Sequence, residues 1–402
     1  MEISELLRPF NRTDYQRNNF DSFLHANKFS FTIPSIHITG TNGKGTTSSY
    51  LAAIYQGNGY RVGKFSSPWL FEINEMITVN DEGIPDADFV RLFKQFEKQF
   101  KEFDLSIFEI QTFIAFNYFI EQKCDICVIE CGMGGEIDAT NIFTPILSII
   151  TSVSLEHTEY LGHTISEIAM QKCGIIKEEV PVLISEFDED ANTTICRDAV
   201  NKKSPIHYIK THLEKSLTPD GWKFTYFPYG EIHLKSFAEY SVNDACFALE
   251  AVMILENRFP IDSSKIYSSL SNVKMPCRFD IVSTNPLVIL DGAHNPEAAK
   301  ATVNALFAYV HKPIHVVFAC FRDKNLGALL SSFGSLGNDL TLTTFPHYRA
   351  RKEEEFFLFL GDYKFEENAV ELLKRKMAEF PDDAIVVTGS LAFASYIKKE
   401  VF

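Results

Sequence analysis

Apolar runs of strand length alternate along this chain with segments whose apolar residues recur every three or four positions, the pattern of a parallel α/β architecture. The run Ser35–Thr39 predicts a strand, followed by a Gly-rich turn and a helix over residues 44–56. Phe89, Leu92, Phe93, Phe96, Phe100 and Phe103 keep helical spacing and mark a core-facing stripe. Further strands are expected at residues 126–131, 146–151 and 182–185. Thr164 with Glu167 has the spacing of a capping box and opens a helix expected to run to Lys177. Residues 186–240 are more polar and irregular and read as a strand-rich insertion.

A helix over residues 243–257 precedes an interruption at residues 273–277, where Pro276 disfavours helix. A fresh series then begins: LVILD, a helix after Pro296, IHVVFA, a helix near Asn325, LTLTT, a helix near Val370, AIVVT and a final helix. That series is a second α/β unit. The 402 residues exceed one ordinary core, since domains run ~100 to 200 residues. The expected division is residues 1–274 and 275–402.

Composition narrows the function. With 46% hydrophobic and 23% charged residues the chain is a globular protein with large cores. A net charge of −15 offers little field for nucleic acid, which is bound through clustered Lys and Arg. No basic region followed by an apolar run opens the chain, and no stretch of about 18 apolar residues occurs, so neither a leader nor a membrane span is expected. The 8 cysteines lie scattered, several in apolar segments, and read as reduced thiols of a cytoplasmic protein. Cys124 and Cys127 form a CxxC, but a zinc site needs a second ligand pair. Small anionic ligands would have to be held by helix N-termini, a few cations and Mg²⁺.

The segment IHITGTNGKGTTSSY supplies such a device, a Gly-rich turn between strand and helix. Gly40, Thr41, Asn42, Gly43, Lys44, Gly45 and Thr46 form a phosphate loop whose backbone amides approach phosphates closely. Lys44 reaches the terminal phosphates, and Thr46 or Thr47 faces Mg²⁺. The spacing departs from the general Walker pattern, because Gly45 stands between Lys44 and Thr46.

GTNGKGT resembles the loop of the Mur-type ligases, and the extra glycine resembles their folylpolyglutamate synthase and dihydrofolate synthase branch. The resemblance extends over nearly the whole chain, in order: GKFSSPWLFEINEMITVN, VIECGMGGEIDATNIF, SLEHTEYLGHTISEIAMQKCGIIK, CRFD, DGAHNP, RDK, YRA and VTGSL. It implies an N-terminal ATPase domain of Mur-ligase type and a smaller C-terminal Rossmann-like domain. The implied activity is ATP-dependent addition of L-glutamate to a folate-type carboxylate through an acyl phosphate, giving ADP and phosphate. The implied partners are ATP, L-glutamate and dihydropteroate or a reduced folate, with a monomer completing the site.

The same resemblance assigns roles. Glu130, at the carboxyl end of its strand, corresponds to a Mg²⁺-binding glutamate, and His157 to a Mg²⁺ ligand. Ser67 is a third candidate ligand, with Ser66 its neighbouring alternative. Lys172 corresponds to a lysine often carried as a carbamate, which would turn a cation that repels a second Mg²⁺ into an anion that binds it. Without the resemblance, Lys172 reads as a solvated surface lysine. Asn243, Arg278, Asp291 and His294 correspond to nucleotide contacts, although Asn243 also suits a helix cap.

Three positions depart from the family's pattern on the folate side: Trp69 where His is frequent, Met76 where Arg is frequent, and Glu136 where Arg is common. Acceptor choice is therefore less determined than ligase chemistry. A Mur-type ligase for another acceptor, such as a UDP-muramyl peptide, shares the chemistry. A regulatory nucleotide-binding module is disfavoured by the complete set Lys44, Glu130, His157 and Lys172. A nucleotide kinase would have no need of DGAHNP in a second α/β unit.

Overall fold

The computed structural model of the protein describes residues 3–11, 17–337 and 339–402. The chain divides into two compact units, one of residues 1–214, 225–232 and 243–273, the other of residues 215–224, 233–242 and 274–402.

The first unit opens with α1 (Ile3–Leu7) and α2 (Arg17–Ala26), then β1 (Ser35–Thr39), α3 (Lys44–Gly57), β2 (Val62–Phe65), β3 (Ile77–Val79) and β4 (Glu82–Gly83). Next come α4 (Asp86–Glu102), α5 (Ile107–Glu121), β5 (Ile126–Glu130), β6 (Leu147–Ile150), α6 (Thr158–Leu161), α7 (Ile165–Cys173), β7 (Val182–Ile184), α8 (Glu189–Asn201) and β8 (Ile206–Tyr208). Its sheet has 8 strands in the order β4-β3-β2-β5-β1-β6-β7-β8. From β2 to β8 every pairing is parallel, with the antiparallel strands at one edge. β1, β5 and β6 are buried along their whole length, as strands covered on both faces must be.

The phenylalanine stripe performs as its spacing predicts. Phe89, Leu92, Phe93 and Phe100 of α4 are buried, while Phe96 and Phe103 pack against the same core. Phe23 of α2 lies edge-on to Phe113 of α5 at 4.8 Å between ring centres, so α2 is joined to this core by aromatic contacts. Thr164 and Glu167 do form a reciprocal capping box, but α7 ends at Cys173, short of Lys177, where Gly174 lies against Glu136 too closely for any side chain. The segment after residue 186 begins with α8, an amphipathic helix, and only then becomes strand-rich.

β9 (Lys215–Thr218), β10 (Gly221–Tyr226) and β11 (Gly230–Leu234) form a 3-stranded sheet, followed by α9 (Tyr240–Ile254) and α10 (Ile266–Ser271). The second unit then contains β12 (Asp280–Thr284), β13 (Leu287–Leu290), α11 (Pro296–Tyr309), β14 (Ile314–Phe318), α12 (Leu326–Phe333), β15 (Leu340–Thr344), β16 (Lys364–Asn368), α13 (Ala369–Glu379), β17 (Ala384–Thr388) and α14 (Leu391–Val401). These strands make a 6-stranded sheet ordered β12-β13-β17-β14-β15-β16, parallel except for β12. Among the described residues no helix is long and apolar enough to cross a membrane.

Candidate nucleotide and metal site

Sheet order decides which loops meet. β2, β5, β1 and β6 are consecutive parallel neighbours, paired Phe65 to Ile129, Ile38 to Glu130 and Thr39 to Ile150. Their carboxyl ends therefore lie along one edge of the sheet, where open α/β sheets bind ligands. Ser66 and Ser67 leave from β2, Glu130 ends β5, the Gly-rich loop leaves β1, and the segment to His157 leaves β6. Four stretches remote in sequence are thus brought together by topology.

The loop itself is held by its neighbour. The Asn42 amide donates to Ser152 Oγ at 2.7 Å, the Thr151 hydroxyl donates to the Asn42 carbonyl at 2.6 Å, and the Thr41 amide donates to the Ser152 carbonyl at 3.1 Å. Gly40 has to be glycine, because a Cβ there would lie 1.9 Å from Thr151 Oγ1. Gly43, with φ +85°, opens α3 in the left-handed region, and a Cβ there would meet Asp244 Oδ1 at 2.4 Å. Lys44 folds across the loop and donates to the Gly40 carbonyl at 2.7 Å. Thr46 is buried beside it, whereas Thr47 Oγ1 lies 3.5 Å from the Asp244 carbonyl oxygen.

Glu130 is 2% exposed, and so is Lys172. The burial of Lys172 rules out the solvated surface lysine that local sequence favours. Both Lys172 and Lys44 act electrostatically on the thiol of Cys131, which burial above all, and then Asp138, push well up while the two cations pull it back. Both ammonium groups therefore lie within electrostatic reach of the residue next to Glu130. His157 takes a left-handed conformation at the head of α6, with its side chain 39% exposed and Nε2 at 4.0 Å from Glu156 Oε1.

Beneath this edge runs a buried polar network. Thr140 Oγ1 lies 2.6 Å from Asp138 Oδ1 and 2.9 Å from His37 Nε2, and Cys131 Sγ lies 3.1 Å from the same nitrogen. With Thr140 donating to the carboxylate, His37 Nε2 is the donor to Thr140. Full burial, and next Lys177, lower the His37 pKa to about 3, so the ring is neutral. Asp138 falls in the segment VIECGMGGEIDATNIF, though local sequence gives it no role, and His37 does not stand out. Their meeting depends on a strand pairing and a loop return.

Several predicted residues sit otherwise than expected. Asn243 does not cap a helix, because α9 begins at Tyr240, and its side chain is exposed within the first turn. Its neighbour Asp244, buried against Gly43, is the residue of α9 that meets the loop. Met76 is buried in the N-terminal core, whereas Trp69 and Glu136 are exposed.

In the second unit, Asp291 follows β13 and is 3% exposed. Its carboxylate accepts from the Ala293 amide at 3.0 Å, Thr302 Oγ1 at 2.8 Å, the Phe279 amide at 2.8 Å and the Tyr240 hydroxyl at 3.0 Å. It is an organiser of its surroundings, with four donors converging on one carboxylate. Arg278 is partly exposed between Cys277 and Phe279, both left-handed, and His294 is partly exposed with Nδ1 at 2.9 Å from the Gly292 carbonyl oxygen.

Comparison with known proteins agrees over the same extent. Residues 38–252 match the Mur ligase middle domain, and residues 277–391 match the Mur ligase glutamate ligase domain. The folylpolyglutamate synthase of Lacticaseibacillus casei is 30% identical over 380 residues, covering 90% of this chain and 89% of the relative. The dihydrofolate synthase/folylpolyglutamate synthase of Bacillus subtilis is 30% identical over 399 residues, covering 92% and 90%. The structure of Escherichia coli FolC in complex with ADP, without folate substrate, superposes with a TM-score of 0.88 at 26% identity, covering 99% of this chain and 97% of that one.

Proposed function

Because the chain belongs to the folylpolyglutamate synthase and dihydrofolate synthase family of Mur ligases, we propose that it uses ATP to join L-glutamate to a folate-type carboxylate, releasing ADP and phosphate. The observation that carries this reading is the pairing of β1 with β5, which sets the Gly40 to Thr46 loop beside Glu130 at one sheet edge. We assign residues 1–274 to the ATPase domain and residues 275–402 to the ligase domain.

A carboxylate is a poor electrophile for an amine, because resonance and negative charge both oppose attack. Transfer of the γ-phosphoryl group of ATP to one carboxylate oxygen gives an acyl phosphate and ADP. The amino group of glutamate then attacks the acyl carbon, loses its proton and expels phosphate. Such transfer is catalysed mainly by positioning and charge neutralisation. In this assignment the loop amides and the N-terminus of α3 cradle the phosphates. Lys44 leaves the Gly40 carbonyl for the transferring group, a short movement for a flexible side chain.

The donor set suits Mg²⁺, which is usually held by one or two carboxylates with substrate phosphates rather than by a closed protein cage. Glu130, Thr46 and Ser67 would hold a first ion, and His157 with a carbamoylated Lys172 a second. When bound, Mg²⁺ withdraws charge from the phosphoryl oxygens. Lys172 is 2% exposed, so a carbamate formed there would be shielded from bulk water. Asn243, Arg278 and His294 remain assigned to the nucleotide, and Asp291 acts through the backbone that it holds.

Incubation with ATP, Mg²⁺ and L-glutamate, and separately dihydropteroate, tetrahydrofolate or a UDP-muramyl peptide, tests the reading through acceptor-dependent release of phosphate. With ¹⁸O in the acceptor carboxylate, one labelled oxygen should appear in phosphate for each amide formed. Release dependent on the muramyl peptide alone, or formation of AMP and pyrophosphate, would overturn it.

A further inference from the structure

The loop that continues from Glu130, residues 131–141, is fastened at both sides. On one side, the Glu136 amide donates to the Gln171 carbonyl at 2.8 Å, and Asn141 Nδ2 donates to the Gly174 carbonyl at 3.2 Å, so the loop rests on the end of α7 that carries Lys172. Gly135 and Gly174 permit this approach, since a Cβ on Gly135 would lie 2.9 Å from the Lys172 carbonyl oxygen. Within the loop, Asp138 accepts from the Met133 and Thr140 amides.

On the other side the loop meets β1, where Thr140 and Cys131 bond to His37, and it meets one side chain of α2. Arg17, the first residue of α2, directs one terminal nitrogen to the Asp138 carbonyl and the other to the Asn141 carbonyl at 3.0 Å, while Nε donates to Asp21 at 2.7 Å. The rigid guanidinium fork matches two carbonyls of one loop, which a lysine cannot bridge in the same way. Beside it opens a surface pocket of about 500 Å³, lined by Arg17, Leu24, His25, Lys28, Phe29 and Ile142. At this end Arg17 adds two hydrogen bonds to a loop whose Ala139 and Thr140 are already buried.

The acceptor carboxylate has to reach the γ-phosphate at the sheet edge, so the body of the acceptor lies along a segment bordering that edge. Loop 131–141 is such a segment, and it carries the exposed Glu136. We propose that Arg17 is a positioning residue for acceptor binding, acting through the backbone of residues 138–141. The proposal rests on the ligase reading given above.

Two variants of the full chain test it, Arg17→Gln and Arg17→Lys. Losing charge-assisted hydrogen bonds of this kind should raise KM for the folate acceptor about tenfold in Arg17→Gln. kcat should change less than threefold, and AMPPCP affinity, measured by direct titration, should stay at the parent value. Arg17→Lys, which keeps one bond, should fall between. A general structural role would move nucleotide affinity and acceptor KM together, and that result, or an unchanged acceptor KM, would overturn the proposal. Amide hydrogen exchange separates this from the ligase reading, because it needs no substrate. Faster exchange in residues 136–142 of Arg17→Gln, with the P-loop unchanged, is expected even if no folate is ligated; exchange equal to the parent there would refute the clamp.

Discussion

The Phe279 amide donates to the Asp291 carboxylate at 2.8 Å, and this bond fixes the left-handed backbone on which Arg278 is presented. On the other flank of Arg278, the Cys277 amide donates to Asp280 at 2.9 Å, and Asp280 is in turn paired with Lys398 at 2.5 Å. Two non-glycine residues with positive φ in three positions are tolerated only where the surroundings over-determine them. Here two carboxylates do so. Asp291→Ala would leave buried donors of Phe279, Ala293 and Thr302 without their acceptor, each costing roughly 1–3 kcal/mol. Denaturant unfolding of the full chain should show a loss above about 3 kcal/mol, against about 1 kcal/mol for Tyr240→Phe. A loss below 1 kcal/mol in Asp291→Ala would remove the organiser role.

Gly43 and Asp244 give a second test, at the mouth of the phosphate loop. In Gly43→Ala the new methyl would sit 2.4 Å from Asp244 Oδ1 and on a backbone of φ +85°. Both effects distort the loop, and ATP affinity should fall at least about tenfold, since a left-handed alanine alone costs roughly 1–2 kcal/mol. Adding Asp244→Ala should recover the steric part and leave the backbone part. Titration of ADP or AMPPCP against the parent, the single and the double variants reads this directly. Equal affinity in all of them would show that the loop adapts freely.

The parts of this site that are local in sequence were legible there. Ser35–Thr39 is a strand with those limits, the glycines sit where the backbone requires them, and the capping box at Thr164 forms. What a single sequence withholds is adjacency. The order β2-β5-β1-β6, which unites Ser67, Glu130, Lys44 and His157, is a property of strand pairing that periodicity does not encode. Burial of a long cation is hidden in the same way. Lys172 sits on a helix of mixed polarity, and the loop of residues 131–141 returns against the end of that helix. Asp244 and Arg17 carried no signal, because an aspartate in a helix and an arginine at a helix start are ordinary surface residues until the tertiary partner is known. The polar segment after residue 186 misled for another reason: α8 is amphipathic, with Ala191, Thr194, Ile195 and Ala199 inward, and a sparse apolar face among polar residues looks irregular.

The buried lysine invites a direct chemical test. Lys172→Ala should lose at least about 100-fold in turnover, the scale for removing one preorganised charge contact. If the native group is a carbamate, a small carboxylate such as acetate should restore part of that loss by occupying the space left. Lys172→Met, which fills the space with an apolar chain, should keep the parent melting temperature and show no rescue. Mass analysis of the intact chain can lose a labile carbamate, so the kinetic comparison decides. Parent-like activity in Lys172→Ala would exclude a role for this residue, and a loss that no carboxylate relieves would exclude the carbamate.

His37 should make the protein acid-sensitive before its carboxylates titrate. Its ring is fully buried and its pKa is lowered to about 3, whereas a histidine of the unfolded chain titrates near 6.5. Above pH 6.5 the ring is neutral in both states and contributes no pH dependence. Between about 3 and 6.5 the unfolded chain binds a proton that the folded chain refuses, so stability falls as pH falls, by up to about 1.4 kcal/mol for each pH unit. Charging the ring in place would put an imidazolium beside the thiol of Cys131 and in the field of Lys177. The ring also has nowhere to put the second proton, since among the described residues Nδ1 meets no hydrogen-bond partner. His37→Gln keeps a donor that can reach Thr140 but cannot titrate. Unfolding free energies measured from pH 7 to pH 5 should therefore decline less steeply in His37→Gln than in the parent, even though the variant starts lower at pH 7 from imperfect packing. Parallel declines would mean that His37 is reached by solvent and protonated within the fold, and the buried network beneath the sheet edge would have to be redrawn.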